Sequence, residues 1–121
     1  MSLWEYRATV YATDPDFIGF DVEAADGHIG KVDEASNDAG RSFLVVDTGF
    51  WIFGKKRLIP AGVVERVDRE DERVYVSRTK EQIKNAPEYD DSLVADDTYR
   101  QGLGSYYGPG GSGYRDWDDS L

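Results

Sequence analysis

Cysteine is absent from the 121 residues, and histidine occurs once. No disulfide, thiolate metal site or cysteine nucleophile can be built from such a chain. A multi-histidine metal site is excluded, and a Ser-His-Asp triad would have to use His28. Basic residues are scarce as well: 14 Lys+Arg stand against 24 Asp+Glu, a formal net charge of −10. Affinity for nucleic acid comes mainly from Lys and Arg neutralising phosphates, so no direct nucleic-acid partner is expected. The same sign disfavours an anionic membrane surface. Long apolar runs are missing too. The two longest, residues 43–46 and 50–53, have four residues each, far short of the roughly 20 that span a bilayer. The opening Met1-Ser2-Leu3-Trp4-Glu5-Tyr6-Arg7 carries charge and no apolar core, unlike a signal peptide. A soluble, cytoplasmic protein of one domain with flanking segments is expected.

What charge there is lies unevenly. Residues 1–80 hold 15 acids and 11 bases, a net of −4, whereas residues 81–121 hold 9 and 3, a net of −6. Composition shifts in the same region, with six glycines and Pro109 among residues 102–114. Such sequence buries too little apolar area to offset its ordering entropy. Four parts are therefore expected: a flank at 1–16 ending in Asp14-Pro15-Asp16, a domain at 17–90, a short helix at 91–103, and a flexible Gly/Tyr/Asp-rich tail at 104–121.

The domain reads as short strands. Phe20, Val22 and Ala24 alternate with Asp21, Glu23 and Ala25. Asp26-Gly27 is a hairpin signal, because glycine accepts positive φ at little cost. Residues 28–35 form the return strand, and Asn37-Asp38-Ala39-Gly40 the next turn. Phe43-Leu44-Val45-Val46 is rich in β-formers and reads as covered on both faces. Residues 55–59 resume before Pro60 stops them, and residues 63–67 and 74–76 complete the set. Six short strands with polar turns predict a mainly β fold, a small antiparallel barrel, since closing a sheet removes exposed edges. Thr79 and Gln82 are spaced as a capping box for a short helix that Asn85 and Pro87 end. Ser92 is placed to cap a second helix running from Leu93 to about Leu103.

The run Asp26-Gly27-His28-Ile29-Gly30-Lys31-Val32 is similar to the signature hairpin of the PRC-barrel family. The likeness continues through Phe43-Leu44-Val45-Val46-Asp47, Phe50-Trp51-Ile52-Phe53-Gly54-Lys55-Lys56 and Leu58-Ile59-Pro60. It extends through Val67-Asp68 and Val74-Tyr75-Val76-Ser77, and closes with Thr79-Lys80-Glu81-Gln82-Ile83-Lys84-Asn85-Ala86-Pro87, which resembles the last segment of bacterial stand-alone members. The resemblance covers roughly residues 17–90. It implies a small β-barrel used as a protein-binding module with no catalytic residues and no cofactor. The family includes the cytoplasmic domain of the photosynthetic reaction-centre H subunit and the C-terminal domain of a ribosome-maturation factor. Neither role is carried over.

Chemistry is sparse in the remaining motifs. His28 sits at a hairpin, with no nucleophile elbow elsewhere in the chain. Gly27 and Gly30 precede a strand and not a helix N-terminus, so they make no phosphate loop. The pairs Asp14/Asp16, Asp90-Asp91, Asp96-Asp97 and Asp116/Asp118-Asp119 offer hard oxygens, but none has EF-hand spacing. Solvation and helix capping account for them, and no metal site is expected. Lys55-Lys56-Arg57 is the basic cluster. Strand alternation divides its side chains between two faces, and its exposed members could receive an acidic segment such as 116–119. The aromatic run Phe50, Trp51, Ile52 and Phe53 would turn two large side chains outward on a strand. Together with Trp4 and Tyr6 it forms the expected contact surface, since exposed apolar pairs mark interfaces and Trp is enriched in them.

Two readings follow. One is a non-catalytic protein-interaction module, homo-oligomeric or docking on another cytoplasmic protein. The other, by analogy alone, is an accessory to ribosome assembly or RNA metabolism acting through a basic protein partner.

Overall fold

Val22 and Ala24 are buried while Asp21 and Glu23 are only half-buried, the period-two pattern of a strand with one covered face. A computed structural model describes residues 3–4, 17–36, 42–49, 56–87, 89–90, 92, 96–108 and 111. Among these it places six strands: β1 (Asp21–Ala24), β2 (Gly27–Ser36), β3 (Phe43–Asp47), β4 (Lys56–Pro60), β5 (Val64–Asp68) and β6 (Arg73–Val76). Helices α1 (Lys80–Lys84) and α2 (Asp97–Tyr107) follow. The fold is mainly β, as the sequence indicates.

The first hairpin turns one residue earlier than expected. Ala24 pairs with Gly27, so Ala25-Asp26 is the loop and Gly27, at φ +142°, begins the return strand. β2 is ten residues long. Its first half pairs with β1 and its second half with β3, and a register shift interrupts each ladder. Bulges bend a strand and increase its twist, so β2 carries the sheet around a corner.

The strand order is β4-β3-β2-β1-β6-β5. All neighbours are antiparallel except β1 and β6, which run parallel. The mainly β fold is consistent with the small barrel expected, with one parallel pair where antiparallel pairing was expected throughout. The cause is the corner Ala61–Val63, one 3₁₀ turn that links β4 to β5 without pairing them. The registers make β4 and β5 run in the same sense. The chain therefore reverses four times between β1 and β6, at the antiparallel hairpins β1–β2, β2–β3, β3–β4 and β5–β6. An even number of reversals returns β6 beside β1 pointing the same way. Among the described residues β4 and β5 are not paired with each other, so the hydrogen-bonded sheet is not closed and these two strands are its margins.

The core fills this bent sheet. Phe43, Leu44, Val45 and Val46 are all buried, so β3 is covered on both faces as expected. Phe17, Ile29, Leu58, Ile59 and Val74 join them. The main chain at Leu3 and Trp4 is pinned across one end. The Leu3 carbonyl accepts from Gly62 N at 2.7 Å and the Trp4 carbonyl from Ser42 N at 2.9 Å. Helix α1 starts with the expected capping box: Gln82 N donates to Thr79 Oγ1 and Thr79 N to Gln82 Oε1. Among the described residues no helix is long and apolar enough to cross a membrane.

Helix α2 differs from expectation at both ends. Asp96, not Ser92, is its N-cap, with Oδ1 accepting from Thr98 N at 2.8 Å and Tyr99 N at 3.2 Å. Ser92 instead donates from its N and Oγ to Asp90 Oδ1 in a local turn. The helix continues through Gly104 to Tyr107, four residues past its expected end at Leu103. Leu103 and Tyr107 lie one turn apart on one face, and both are fully buried. Their packing outweighs the poor helix propensity of Gly102 and Gly104. Gly102 has open space where a Cβ would stand. Gly102→Ala is expected to raise stability by about 0.8 kcal/mol, the propensity difference in a helix interior; urea denaturation checks it, and a loss of stability would contradict the helix assignment.

Candidate interaction surface

The residues singled out in sequence separate into three groups. Trp4 is half-buried within the chain: the Arg100 guanidinium of α2 lies 4.9 Å from its ring, and Gly104 passes close to its indole nitrogen. It fastens α2 to the corner of the sheet. Lys56 donates to Asp33 Oδ2 at 2.8 Å, which raises its pKa. Arg57 turns inward as strand alternation allows and is 6% exposed, which takes it off the surface. Its Nη1 donates to the Lys56 carbonyl at 3.0 Å and its Nη2 to the Lys84 carbonyl at 3.2 Å. Tyr6, Phe50, Trp51, Ile52, Phe53 and Lys55 lie outside the described residues, as do Asp14, Asp16, Asp91 and residues 116–119.

His28 bonds through Nδ1 to Glu23 Oε2 at 2.6 Å, and Glu23 Oε1 also faces Arg73 Nη1 at 3.7 Å. Its sequence neighbour Asp26 instead accepts from Lys80 N at 2.7 Å, tying the first hairpin to the start of α1. An open cleft of about 330 Å³ lies between β2 and the end of β3. The side chains at its rim, His28 and Lys31, are already held by Glu23 and Asp21.

These contacts belong to a polar face that spans four strands. Asp21 and Glu23 of β1 stand opposite Lys31 and His28 of β2 on one side, and Arg73 and Tyr75 of β6 on the other. Lys31 donates to Asp21 at 3.0 Å and holds its carboxyl below the usual carboxylate range. At the far end Arg66 of β5 lies 3.8 Å over the Tyr75 ring. Exposed pairs of this kind are worth little individually. Their effect is to give the outer face a fixed pattern of alternating charge.

Sequence reading missed Arg78, which is 1% exposed. Its Nη1 donates to the Ser77 carbonyl and Oγ at 2.9 and 2.8 Å, and its Nη2 to the Tyr107 carbonyl at 2.9 Å. Tyr107 is the last residue of α2, just as Lys84 is the last of α1. Each buried arginine thus caps the C-terminus of one helix, where orphan carbonyls and the negative end of the dipole favour a cation. No periodicity announces such a role; a lone arginine after an apolar strand is its only trace in sequence. Tyr106 Oη donates to the Gln82 carbonyl, and Tyr107 Oη donates to the Leu58 carbonyl at 3.4 Å. Burial pushes both phenols above their usual pKa.

The two margins of the sheet are treated differently. Along β4, the Lys56 carbonyl also accepts from Tyr89 N at 3.3 Å, and the Leu58 carbonyl is taken by Tyr107. The chain therefore covers its own β4 margin. Along β5, Val64 N donates back to the Ala61 carbonyl of the 3₁₀ turn, and among the described residues no backbone group of residues 65–68 is bonded outside the β5–β6 ladder. An uncovered strand margin is a template for pairing with another chain.

A family model described as the PRC-barrel domain matches residues 11–83. The match takes in all six strands and ends inside α1. No curated protein matches the chain in sequence.

Proposed function

Because the chain belongs to the PRC-barrel domain family, we propose that it serves as a non-catalytic protein-interaction module whose contact margin is β5. The asymmetry of the sheet margins carries this reading. One is sealed by the chain's own C-terminal elements, and the other, among the described residues, presents residues 65–68 with charged side chains and no backbone bond beyond the β6 ladder. Strand addition at such a margin gives affinity through main-chain hydrogen bonds and specificity through side chains. The buried arginines support the same reading, since they hold helices in place and are turned away from solvent.

The test uses the full chain as immobilised bait and compares it with Val67→Lys. An inward-pointing lysine on a margin strand blocks edge pairing while its stem still covers apolar surface. Partners captured by the wild type are expected to be lost with the variant, and the amides of residues 64–68 are expected to exchange more slowly in the captured complex. Equal capture by a variant that melts normally removes β5 from the function.

A further inference from the structure

Resting on that reading of β5, we propose that the partner at this margin is a second copy of the chain, paired antiparallel through β5 with Val67 on the two-fold axis. The charge sequence of the strand and of Arg69, the turn residue that follows it, is the argument. Residues 65–69 read Glu-Arg-Val-Asp-Arg. With Val67 on the axis, Arg66 faces Asp68 of the second copy and Glu65 faces Arg69, and symmetry repeats both pairs. Cross-strand opposite charges stabilise a ladder, and like charges directly opposite destabilise it. A slip of one residue in either direction sets Glu65 against Asp68 or Arg66 against Arg69. The margin that repels its own misaligned copies therefore accepts one register.

Arg69 supplies an independent observation. Its guanidinium lies 5.7 and 5.9 Å from the Phe17 and Phe20 rings, and its Nε and Nη2 are buried with no hydrogen-bond partner among the described residues. Glu65 is half-buried, and among the described residues neither it nor Arg69 takes part in an ion pair. The two-fold register sets Glu65 of one copy opposite Arg69 of the other. Val67, half-buried against the core, gains a covering side chain from its symmetry mate. Such an interface is isologous and closes as a dimer.

Sedimentation equilibrium of the purified full chain is expected to show a concentration-dependent species of twice the 13.6 kDa chain mass. Glu65→Arg alone and Arg69→Glu alone each put two like-charge pairs across the axis, and each is expected to weaken the dimer about tenfold. An equimolar mixture of these two variants, and the double variant Glu65→Arg/Arg69→Glu, restore opposite charges and are expected to recover the dimer. Arg69→Glu removes a cover from two phenylalanines; should it fail to fold, oxidation of Val67→Cys decides the matter. The chain has no other cysteine, and symmetry mates in a ladder sit about 4.5–5.5 Å apart at Cα, within disulfide reach. A covalent dimer from Val67→Cys, absent from the control Lys84→Cys, supports the pairing. A chain that is monomeric at millimolar concentration and forms no such cross-link overturns it. If that monomer still captures other proteins through β5, the pairing alone has failed. If the Val67→Lys variant captures them equally, the reading of β5 as contact margin has failed as well.

Discussion

Gly30→Ala is expected to cost at least about 3 kcal/mol, combining backbone strain with overpacking. That is a large share of the roughly 5–15 kcal/mol that holds a domain of this kind together. The backbone at Gly30 has φ +154°, where a side chain is strained in any surroundings. Space is also missing. A Cβ there would stand 2.0 Å from the Asp47 carbonyl oxygen and 2.9 Å from its carbon. Both are main-chain atoms of β3, so no side chain can rotate away to make room. Relief requires separating β2 from β3 at the point where β2 leaves β1 for its second partner. Gly27→Ala is the internal comparison. It shares the unfavourable φ, but its Cβ would meet only the flexible Lys80 side chain, at 3.6 Å. Gly27→Ala should therefore cost the strain alone, about 1–2 kcal/mol. Urea denaturation of the two variants checks the difference. Equal losses would show that β3 does not approach β2 as closely as described.

The same pair of glycines shows how far the sequence can be read. Asp26-Gly27 announces a hairpin because the local turn alone demands the residue types. Gly30 gives no comparable signal, since its reason is a contact with Asp47, seventeen positions away. Local devices were legible in general. Alternation located β1, the apolar run located β3, and Thr79 with Gln82 located the start of α1. Long-range devices were not. The parallel pairing of β1 with β6 depends on one 3₁₀ corner, and Ala-Gly-Val carries no mark that distinguishes a corner from a reversal. Likewise the C-terminal half of α2 looks like tail by composition. It is helical because Leu103 and Tyr107 find a buried site against the sheet. The candidate surface was less legible than the fold. Alternation indicated that a member of the Lys55-Lys56-Arg57 cluster would turn inward, and Arg57 does. That β5 would be the uncovered margin depends on which strand the C-terminal helix seals, which is a tertiary outcome.

Arg78→Ala is expected to cost about 3–5 kcal/mol, combining two buried carbonyls left without their donor with the cavity left by a fully buried side chain. The guanidinium bridges two elements that share little else. One nitrogen donates to Ser77 at the end of β6 and another to Tyr107 at the end of α2, while the Tyr107 ring lies 5.8 Å away. Both of these acceptors are carbonyls, and the one at Tyr107 stands at the negative end of the helix dipole, which favours a cation. Truncation leaves the buried Tyr107 and Ser77 carbonyls without this donor, at about 1–3 kcal/mol for each group left unsatisfied. It also opens a cavity beneath α2. Arg78→Lys keeps the charge but not the planar fork that reaches both carbonyls. It is expected to recover about half of the loss. The readout that separates this role from general core damage is local. Trp4 packs against α2 through Arg100, and Tyr106 reaches back to Gln82 of α1. If Arg78 holds α2, amide exchange in 97–107 should accelerate in Arg78→Ala before exchange in β1, β2 and β3 does. A uniform acceleration through helix and sheet would place Arg78 in the core of the barrel and not at the joint between sheet and helix. A change below about 1 kcal/mol, within the range of a single neutral hydrogen bond, would mean that Leu103 and Tyr107 dock the helix by apolar burial alone.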